Sequence, residues 1–139
     1  MKISARNQLE GTIVNVKEGA VNGVVTIEVG DAAVKADITM ESIKELGLAP
    51  GKKAWAIVKA TSVMFATDKI AGLSARNQLE GTVVKVKEGA VNGHVSIELA
   101  GGAQISGSIT NEAIEDLGLK EGGKAWAVVK SSDVMVGVE

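Results

Sequence analysis

The chain has 139 residues, with 15 basic and 17 acidic side chains, one His and no Cys. The lack of Cys excludes disulfides, thiolate nucleophiles and Cys-based zinc sites, and a single His excludes a His-rich metal site. The charge is nearly balanced, which argues against nucleic-acid binding, because that role relies on a basic footprint. We expect a cytoplasmic protein without a membrane partner, because no apolar run is long enough to cross a bilayer and the first residues lack a signal-like apolar core.

The first half of the chain predicts five short strands and one helix. Branched and alternating apolar residues predict the strands at 9–17, 24–29, 33–38, 53–59 and 63–66. The segment GAVNG at 19–23 predicts a turn between the first two strands. After the third strand, Thr39 is a helix N-cap candidate, and Gly47 suits the position after the helix.

The whole pattern then repeats. Residues 4–23 return at 74–93 with only two differences. Two further pairs of segments match after a one-residue insertion, 38–48 with 109–119 and 53–64 with 124–135. We therefore predict two modules, residues 1–68 and 72–139, joined by a linker short enough for them to pack together. The order β-β-β-α-β-β is typical of an OB-like five-stranded Greek-key barrel, so the predicted fold is all-β with a short helix per repeat.

Two kinds of cation stand at repeated positions. The only Arg residues are Arg6 and Arg76, which are equivalent and lie in the segment Ser-Ala-Arg-Asn-Gln. Each is interpreted either as a planar anion contact or as a surface residue paired with a carboxylate such as Glu10. Lys59 and Lys130 end equivalent strands and precede small polar residues, which suits either an oxyanion site or a solvated lysine before a turn.

Other features carry weaker signals. The GAVNG turns form either an anion nest or an ordinary hairpin loop. The Glu and Asp residues are scattered and no repeated pair suggests acid–base catalysis, so we expect no enzymatic activity and no cofactor. His94 has Val24 as its counterpart and is interpreted as a solvent-facing strand residue.

The segments SARNQLEGTV, GAVNG and KAWA(I/V)VK(A/S)(T/S)xVM resemble the molbindins, in particular their two-copy di-Mop form, and the related TOBE modules. The resemblance spans nearly all of both copies. It implies an OB-like fold, binding of molybdate or tungstate between modules, and a homotrimer of two-module chains.

The resemblance also implies two kinds of oxyanion site, with no residue acting as a ligand to a metal cation. The first kind combines the Ser-Ala-Arg-Asn segment of one copy with the strand-ending Lys region of another. Its residues here are Ser4, Ala5, Arg6, Asn7, Lys59, Ala60, Thr61, Ser62, Ser74, Ala75, Arg76, Asn77, Lys130, Ser131 and Ser132. The second kind lies near the symmetry axis and is assigned to the turn residues Ala20, Val21, Asn22, Ala90, Val91 and Asn92. Asp133 stands where the first copy has Ser62, and a carboxylate there repels a dianion unless it points away.

The leading hypothesis is a non-enzymatic cytoplasmic protein that stores or buffers molybdate or tungstate. Such tetrahedral dianions accept hydrogen bonds and donate none near neutral pH, so hydroxyls, backbone N–H groups and a Lys or Arg suit them. The alternative is an oxyanion-sensing regulatory or interaction module that acts on a protein partner. Storage is favoured because the two copies are accompanied by no helix-turn-helix or ATPase segment.

Overall fold

The computed structural model describes residues 1–139, and each half of the chain follows the predicted element order. The first half forms β1 (Asn7–Lys17), β2 (Asn22–Val29), β3 (Ala32–Thr39), α1 (Met40–Glu45), β4 (Lys53–Val58), a 3-10 turn (Ala60–Ser62) and β5 (Met64–Ala66). The second half forms β6 (Asn77–Glu88), β7 (Asn92–Leu99), β8 (Gln104–Thr110), α2 (Asn111–Leu117), β9 (Lys124–Val129), a 3-10 turn (Ser131–Asp133) and β10 (Met135–Gly137). The predicted all-β fold with one short helix per repeat is confirmed.

Both helices begin and end at the residue types that the sequence indicates. The Thr39 hydroxyl accepts a hydrogen bond from the backbone N–H of Ser42 at 3.1 Å, and Thr110 caps α2 in the same way. This side-chain acceptor satisfies an N–H group that has no partner within the helix. Gly47 and Gly118 follow the helices with φ of 62°, a left-handed conformation that glycine adopts without steric cost.

The sheets are antiparallel and curled, and a bulge contributes to the curl. The pairing of β1 with β2 shifts register between Ile13 and Asn15, and the pairing of β6 with β7 shifts between Val83 and Lys85. A bulge inserts one residue into one strand and increases the local twist. The same irregularity at equivalent positions bends both long strands, as an OB-like half-barrel requires.

The last strand of each half is exchanged between the two sheets. One sheet has the order β10-β4-β1-β2-β3 and the other has β5-β9-β6-β7-β8. Thus Met64–Ala66 pairs with β9, and Met135–Gly137 pairs with β4. The predicted modules 1–68 and 72–139 stay a prediction as domain boundaries. The sheets cross those boundaries, since each takes its fifth strand from the other repeat.

One hydrophobic core serves both halves. It contains 27 buried residues drawn from both repeats, and Ile13, Ile27, Ile97 and Ile105 in it are almost completely inaccessible to solvent. Burial of such side chains contributes about 25 cal/mol for each Å² of apolar surface removed from water. Because the core is shared, the repeats stabilise each other.

A pair of residues in this core shows how the halves have diverged. The ring of Phe65 in β5 lies against Gly107 in β8, where an added Cβ would approach the ring Cε2 to 2.5 Å. The equivalent positions in the other half are Val136 and Ala36, which also lie in or against the core. In one half the large Phe ring faces a glycine, which has no side chain. In the other half a Val stands in place of the Phe and an Ala in place of the Gly, so the total side-chain volume is roughly kept.

Candidate functional site

The residues that carry the sequence signals meet in a cleft between the two halves. This first cleft has a volume of about 350 Å³. Its lining residues are Ile3, Ser4, Ala5, Arg6, Lys59, Ala60, Thr61, His94, Ser108 and Met135. It therefore brings together the segment before β1 and the turn after β4 of the same repeat, and adds residues from β7, β8 and the exchanged strand β10. The expectation that these two regions come from different copies stays a prediction.

The segment before β1 presents Ser4 and Arg6 outward. Ala5 and Asn7 are buried, with 7% and 3% of their surface exposed. Ser4, before Ala5, and Arg6, between the two buried residues, are exposed. The Gln8 side chain also donates to the carbonyl of Ala5 at 3.2 Å. Alternation in an extended chain sends neighbouring side chains to opposite faces, so burial of Ala5 and Asn7 directs Ser4 and Arg6 toward the cleft.

The turn after β4 forms the opposite wall. Lys59 has extended backbone angles and precedes a 3-10 turn, in which the N–H of Ser62 donates to the carbonyl of Lys59 at 2.9 Å. The N–H groups of Ala60 and Thr61 come before the first hydrogen bond of this turn. Ser62 itself is half-buried and does not line the cleft.

Asn7 connects the halves rather than lining the cleft. Its amide Nδ2 donates to the carbonyls of Val58 at 3.1 Å and Ser106 at 2.8 Å, and its Oδ1 accepts from the N–H of Ser106 at 2.7 Å. Both amide hydrogens are therefore used within the protein. Asn77 makes the equivalent pair of bonds with the backbone of Lys35 in β3.

The other half of the chain supplies the third wall. His94 in β7 lies directly opposite Ser108 in β8. Directly opposed residues on antiparallel strands project from the same face of the sheet. His94 is exposed, as interpreted from the sequence, and it also borders the first cleft. Neither His94 nor Ser108 could be identified as a site residue from the repeat, because the equivalent residues in the first half are Val24 and Asp37.

The cations of the first cleft have no carboxylate partner. The structure contains two salt bridges, Lys53 to Glu10 at 2.7 Å and Lys124 to Glu80 at 3.3 Å. The hydrogen bond and charge of Glu10 raise the pKa of Lys53. Because Glu10 is engaged by Lys53, the interpretation of Arg6 as its surface partner is wrong. Arg6 and Lys59 instead line a cleft that contains no acidic residue.

An equivalent second cleft is smaller and differently lined. It has a volume of about 290 Å³ and is bordered by Asn15, Lys17, Val24, Thr26, Lys35, Arg76 and Ser131. It brings together Arg76 and Ser131 of the predicted set but is not lined by Ser74, Ala75, Asn77, Lys130 or Ser132. Ala75 is instead buried in a small cluster with Ala66 and Val128. Asp133 lies in the 3-10 turn after β9, outside this lining.

The turn residues assigned to a second kind of site lie elsewhere. Val21 and Val91 are 75% and 72% exposed. Their carbonyls accept hydrogen bonds from the N–H groups of Met40 and Asn111, both at 2.8 Å. None of the turn residues Ala20, Val21, Asn22, Ala90, Val91 or Asn92 borders either cleft. Their role in ion binding stays a prediction.

No group of three or more His, Cys, Asp or Glu side chains is placed to hold a metal ion. No helix has the length and apolar character needed to cross a membrane.

The fold and the clefts together define a class: a pair of OB-like modules, with exchanged strands, that encloses donor-lined clefts between its halves. The family model of the TOBE domain matches residues 3–65 and 73–136. The chain belongs to the TOBE domain family and contains two copies of the domain, an arrangement consistent with a di-Mop molbindin.

Known proteins similar to the chain have names that refer to molybdenum. A molybdenum transport protein ModE of Herbaspirillum seropedicae is 44% identical over 142 residues, covering 100% of this chain and 52% of the relative. Molybdenum-pterin-binding protein 3 of Clostridium pasteurianum is 53% identical over 64 residues, covering 46% of this chain and 94% of the relative. The chain is also similar to the cytoplasmic molybdate-binding protein ModG, in a crystal structure with molybdate bound. The two sequences are 48% identical, the match covers 100% of each chain, and the TM-score is 0.95. The chain spans about half the length of the ModE relatives that it matches.

Proposed function

We propose that the chain binds molybdate or tungstate in its first cleft and stores or buffers the ion in the cytoplasm. One observation carries the proposal: Arg6 and Lys59, far apart in the sequence, border one cleft that contains no carboxylate. A pair of cations without a counter-ion favours an anion between them. The proposed role is binding rather than catalysis, because no carboxylate borders the cleft to form an acid–base pair.

The donors of the first cleft match a tetrahedral dianion. Arg6 offers a planar array of N–H groups, Lys59 offers a point charge, and Ser4 and Thr61 offer hydroxyls. All four can donate to an oxygen that never donates in return. Asn7, which the resemblance places among the ligand contacts, acts in this proposal by fixing the backbone beside Arg6.

The comparisons support the choice of ligand and compartment. The ModG neighbour, similar over the full length of the chain, is described as cytoplasmic and as holding molybdate. Several relatives are named molybdenum-pterin-binding proteins. Tungstate has the same charge and shape as molybdate, so the same donors are expected to accept it, with no separate cofactor.

We propose further sites at the second cleft and at the exposed turns. Arg76 and Ser131 supply donors to the second cleft, with Ser74, Lys130 and Ser132 close in sequence to them. The turns that contain Val21 and Val91 are proposed as the second kind of site, completed by other copies of the chain.

A homotrimer is the proposed assembly. Exposed apolar residues occur as equivalent pairs in the two halves, which supports a repeated contact: Val14 with Val84, Val21 with Val91, and Met64 with Met135. Closed symmetric association removes such surface from water. Light scattering is expected to give three times the chain mass, and molybdate is expected to raise the melting temperature in proportion to the logarithm of its concentration. A monomer that binds molybdate with undiminished affinity contradicts the trimer.

The alternative function is an oxyanion-sensing module that acts on a protein partner. The similarity to ModE favours this alternative, because about half of that relative lies outside the region that it shares with this chain. The two functions differ in what the loaded protein does. Storage predicts that molybdate changes stability and assembly only, whereas sensing predicts a partner whose affinity for the chain depends on molybdate.

Isothermal titration with molybdate, tungstate, sulfate and phosphate tests the proposed function. We expect heat and a defined stoichiometry with the first two. Lys59→Ala is expected to abolish binding at the first cleft, and Lys69→Ala, which removes an exposed lysine from the linker, serves as the matched control. Absence of binding by both molybdate and tungstate contradicts the proposal.

A further inference from the structure

The two clefts of one chain are equivalent by the repeat but differ in chemistry. His94 borders the first cleft, and its counterpart Val24 borders the second. Ser108 borders the first cleft, and its counterpart is Asp37, directly opposite Val24 across β2 and β3. The first cleft is therefore bordered by an imidazole, and the second cleft has an alkyl group at the equivalent position.

We propose that His94 contacts the bound oxyanion and makes the first cleft, but not the second, a pH-dependent site that binds more tightly when the imidazole is protonated. This inference rests on the proposed function, because it requires that the first cleft holds an oxyanion. It adds a contact and a regulation that the repeat pattern does not contain.

The surroundings of His94 make its protonation responsive to an anion. Arg6 and Lys59 border the same cleft, and Lys87 lies directly opposite His94 on β6. On the other side β8 presents the neutral Ser108. No acidic residue borders the cleft, so all three charged neighbours are cations. A dianion bound among these cations brings an opposite charge beside the imidazole and favours its charged form.

Coupling follows from these charges. A dianion bound in the first cleft stabilises the imidazolium by its opposite charge. Proton binding and oxyanion binding therefore strengthen each other, and by linkage each raises the affinity for the other by the same factor. Histidine is the side chain suited to this, because its charge changes between about pH 5 and 8.

The second cleft has no group for such coupling between proton binding and oxyanion binding. Val24 borders it at the position of His94 and cannot take up a proton. Asp37 has a buried carboxylate oxygen without a hydrogen-bond partner and does not border the cleft. Lys17, Lys35 and Arg76 supply the cationic donors there, so oxyanion binding at the second cleft is expected to depend on pH much less than at the first.

The test uses the fact that His94 is the only His in the chain. Its imidazole gives one NMR titration curve, and we expect saturating molybdate to move the midpoint of that curve to higher pH. By calorimetry, affinity at the first cleft should be about tenfold tighter at about pH 6 than at about pH 8, with proton uptake visible in buffers of different ionisation enthalpy.

The variant His94→Val copies the residue of the other half, so it is expected to fold. It should bind molybdate more weakly at about pH 6 and lose most of the pH dependence, and any slope that remains belongs to the ligand itself. An imidazole curve unmoved by saturating molybdate, or an unchanged pH dependence in His94→Val, overturns the inference while leaving the proposed function intact. Absence of molybdate binding at both pH values overturns the proposed function and this inference with it.

Discussion

The side chain of Asn7 forms the hydrogen bonds with the backbone of Ser106 that a neighbouring strand would otherwise form. Oδ1 of Asn7 accepts from the N–H of Ser106 at 2.7 Å, and Nδ2 donates to its carbonyl at 2.8 Å. Ser106 belongs to the opposite half of the chain, in the edge strand β8. Asn77 repeats the arrangement at Lys35 of the edge strand β3. Two buried amides thus satisfy backbone groups that no neighbouring strand reaches.

Asn7→Ala is expected to destabilise the ligand-free protein by about 1–3 kcal/mol, because it leaves backbone groups of Val58 and Ser106 without partners. Denaturant unfolding followed by tryptophan fluorescence measures this. Asn15→Ala, at an exposed position of β1, is the control and should change stability by less than about 0.5 kcal/mol. Equal stability of both variants would show that the buried amide contributes nothing to the contact between halves.

Gly107→Ala is expected to cost about 1–3 kcal/mol, since the new methyl group overlaps the Phe65 ring and the packed core resists displacement. The double variant Phe65→Val, Gly107→Ala copies the residues of the other half and should recover much of that loss. Thermal melts of the single and double variants measure the recovery. Purely additive losses would mean that the two positions are not coupled.

A chain that ends after residue 68 is expected to dimerise. Its β5 would have no β9 to pair with, so two copies should exchange β5 onto each other's β4, as β5 and β10 are exchanged here. Light scattering reports the mass. A stable monomer with its own β5 folded onto β4 would show that the exchange is imposed by the linkage of the repeats.

Ser108→Asp is expected to weaken molybdate binding at the first cleft by about tenfold or more, because it removes a donor and adds the carboxylate found at Asp37 in the other half. Calorimetry at constant pH gives the affinity. Ser96→Asp, two register pairs along from His94 and Ser108 and outside the cleft lining, is the matched control. Equal effects of both variants would mean that the net charge of the protein, not the cleft, governs binding.

The sequence predicts the strands well because each is short, apolar and bounded by turn residues such as the GAVNG segment at 19–23. Each strand of the first half lies within two residues of its predicted bounds. The resemblance assigns Arg6 and Lys59 to one kind of site but places the two regions in different copies, whereas the cleft joins Arg6 and Lys59 of the same repeat. The strand exchange was not predicted because β4 and β9 are nearly identical in sequence, so either is a suitable partner for β5.

The part of the first cleft contributed by the other half was not predicted for a related reason. Comparison of the repeats identifies residues that occur twice, and His94 and Ser108 occur once. They reach the cleft because the two halves share a core, so the turn after β4 packs against β8. Residues that differ between repeats become informative only when the packing of the halves is known.

The stoichiometry of molybdate binding to Lys59→Ala, compared with the unchanged chain and with Lys69→Ala, tests the central claim most directly. Isothermal titration should give fewer bound ions per chain for Lys59→Ala, with the loss confined to the first cleft, and no change for Lys69→Ala. Melting of the ligand-free protein should be the same for all three. If Lys59→Ala binds as many ions with the same affinity, or loses stability without ligand while the stoichiometry is unchanged, then Lys59 has a structural role and the first cleft is not the oxyanion site.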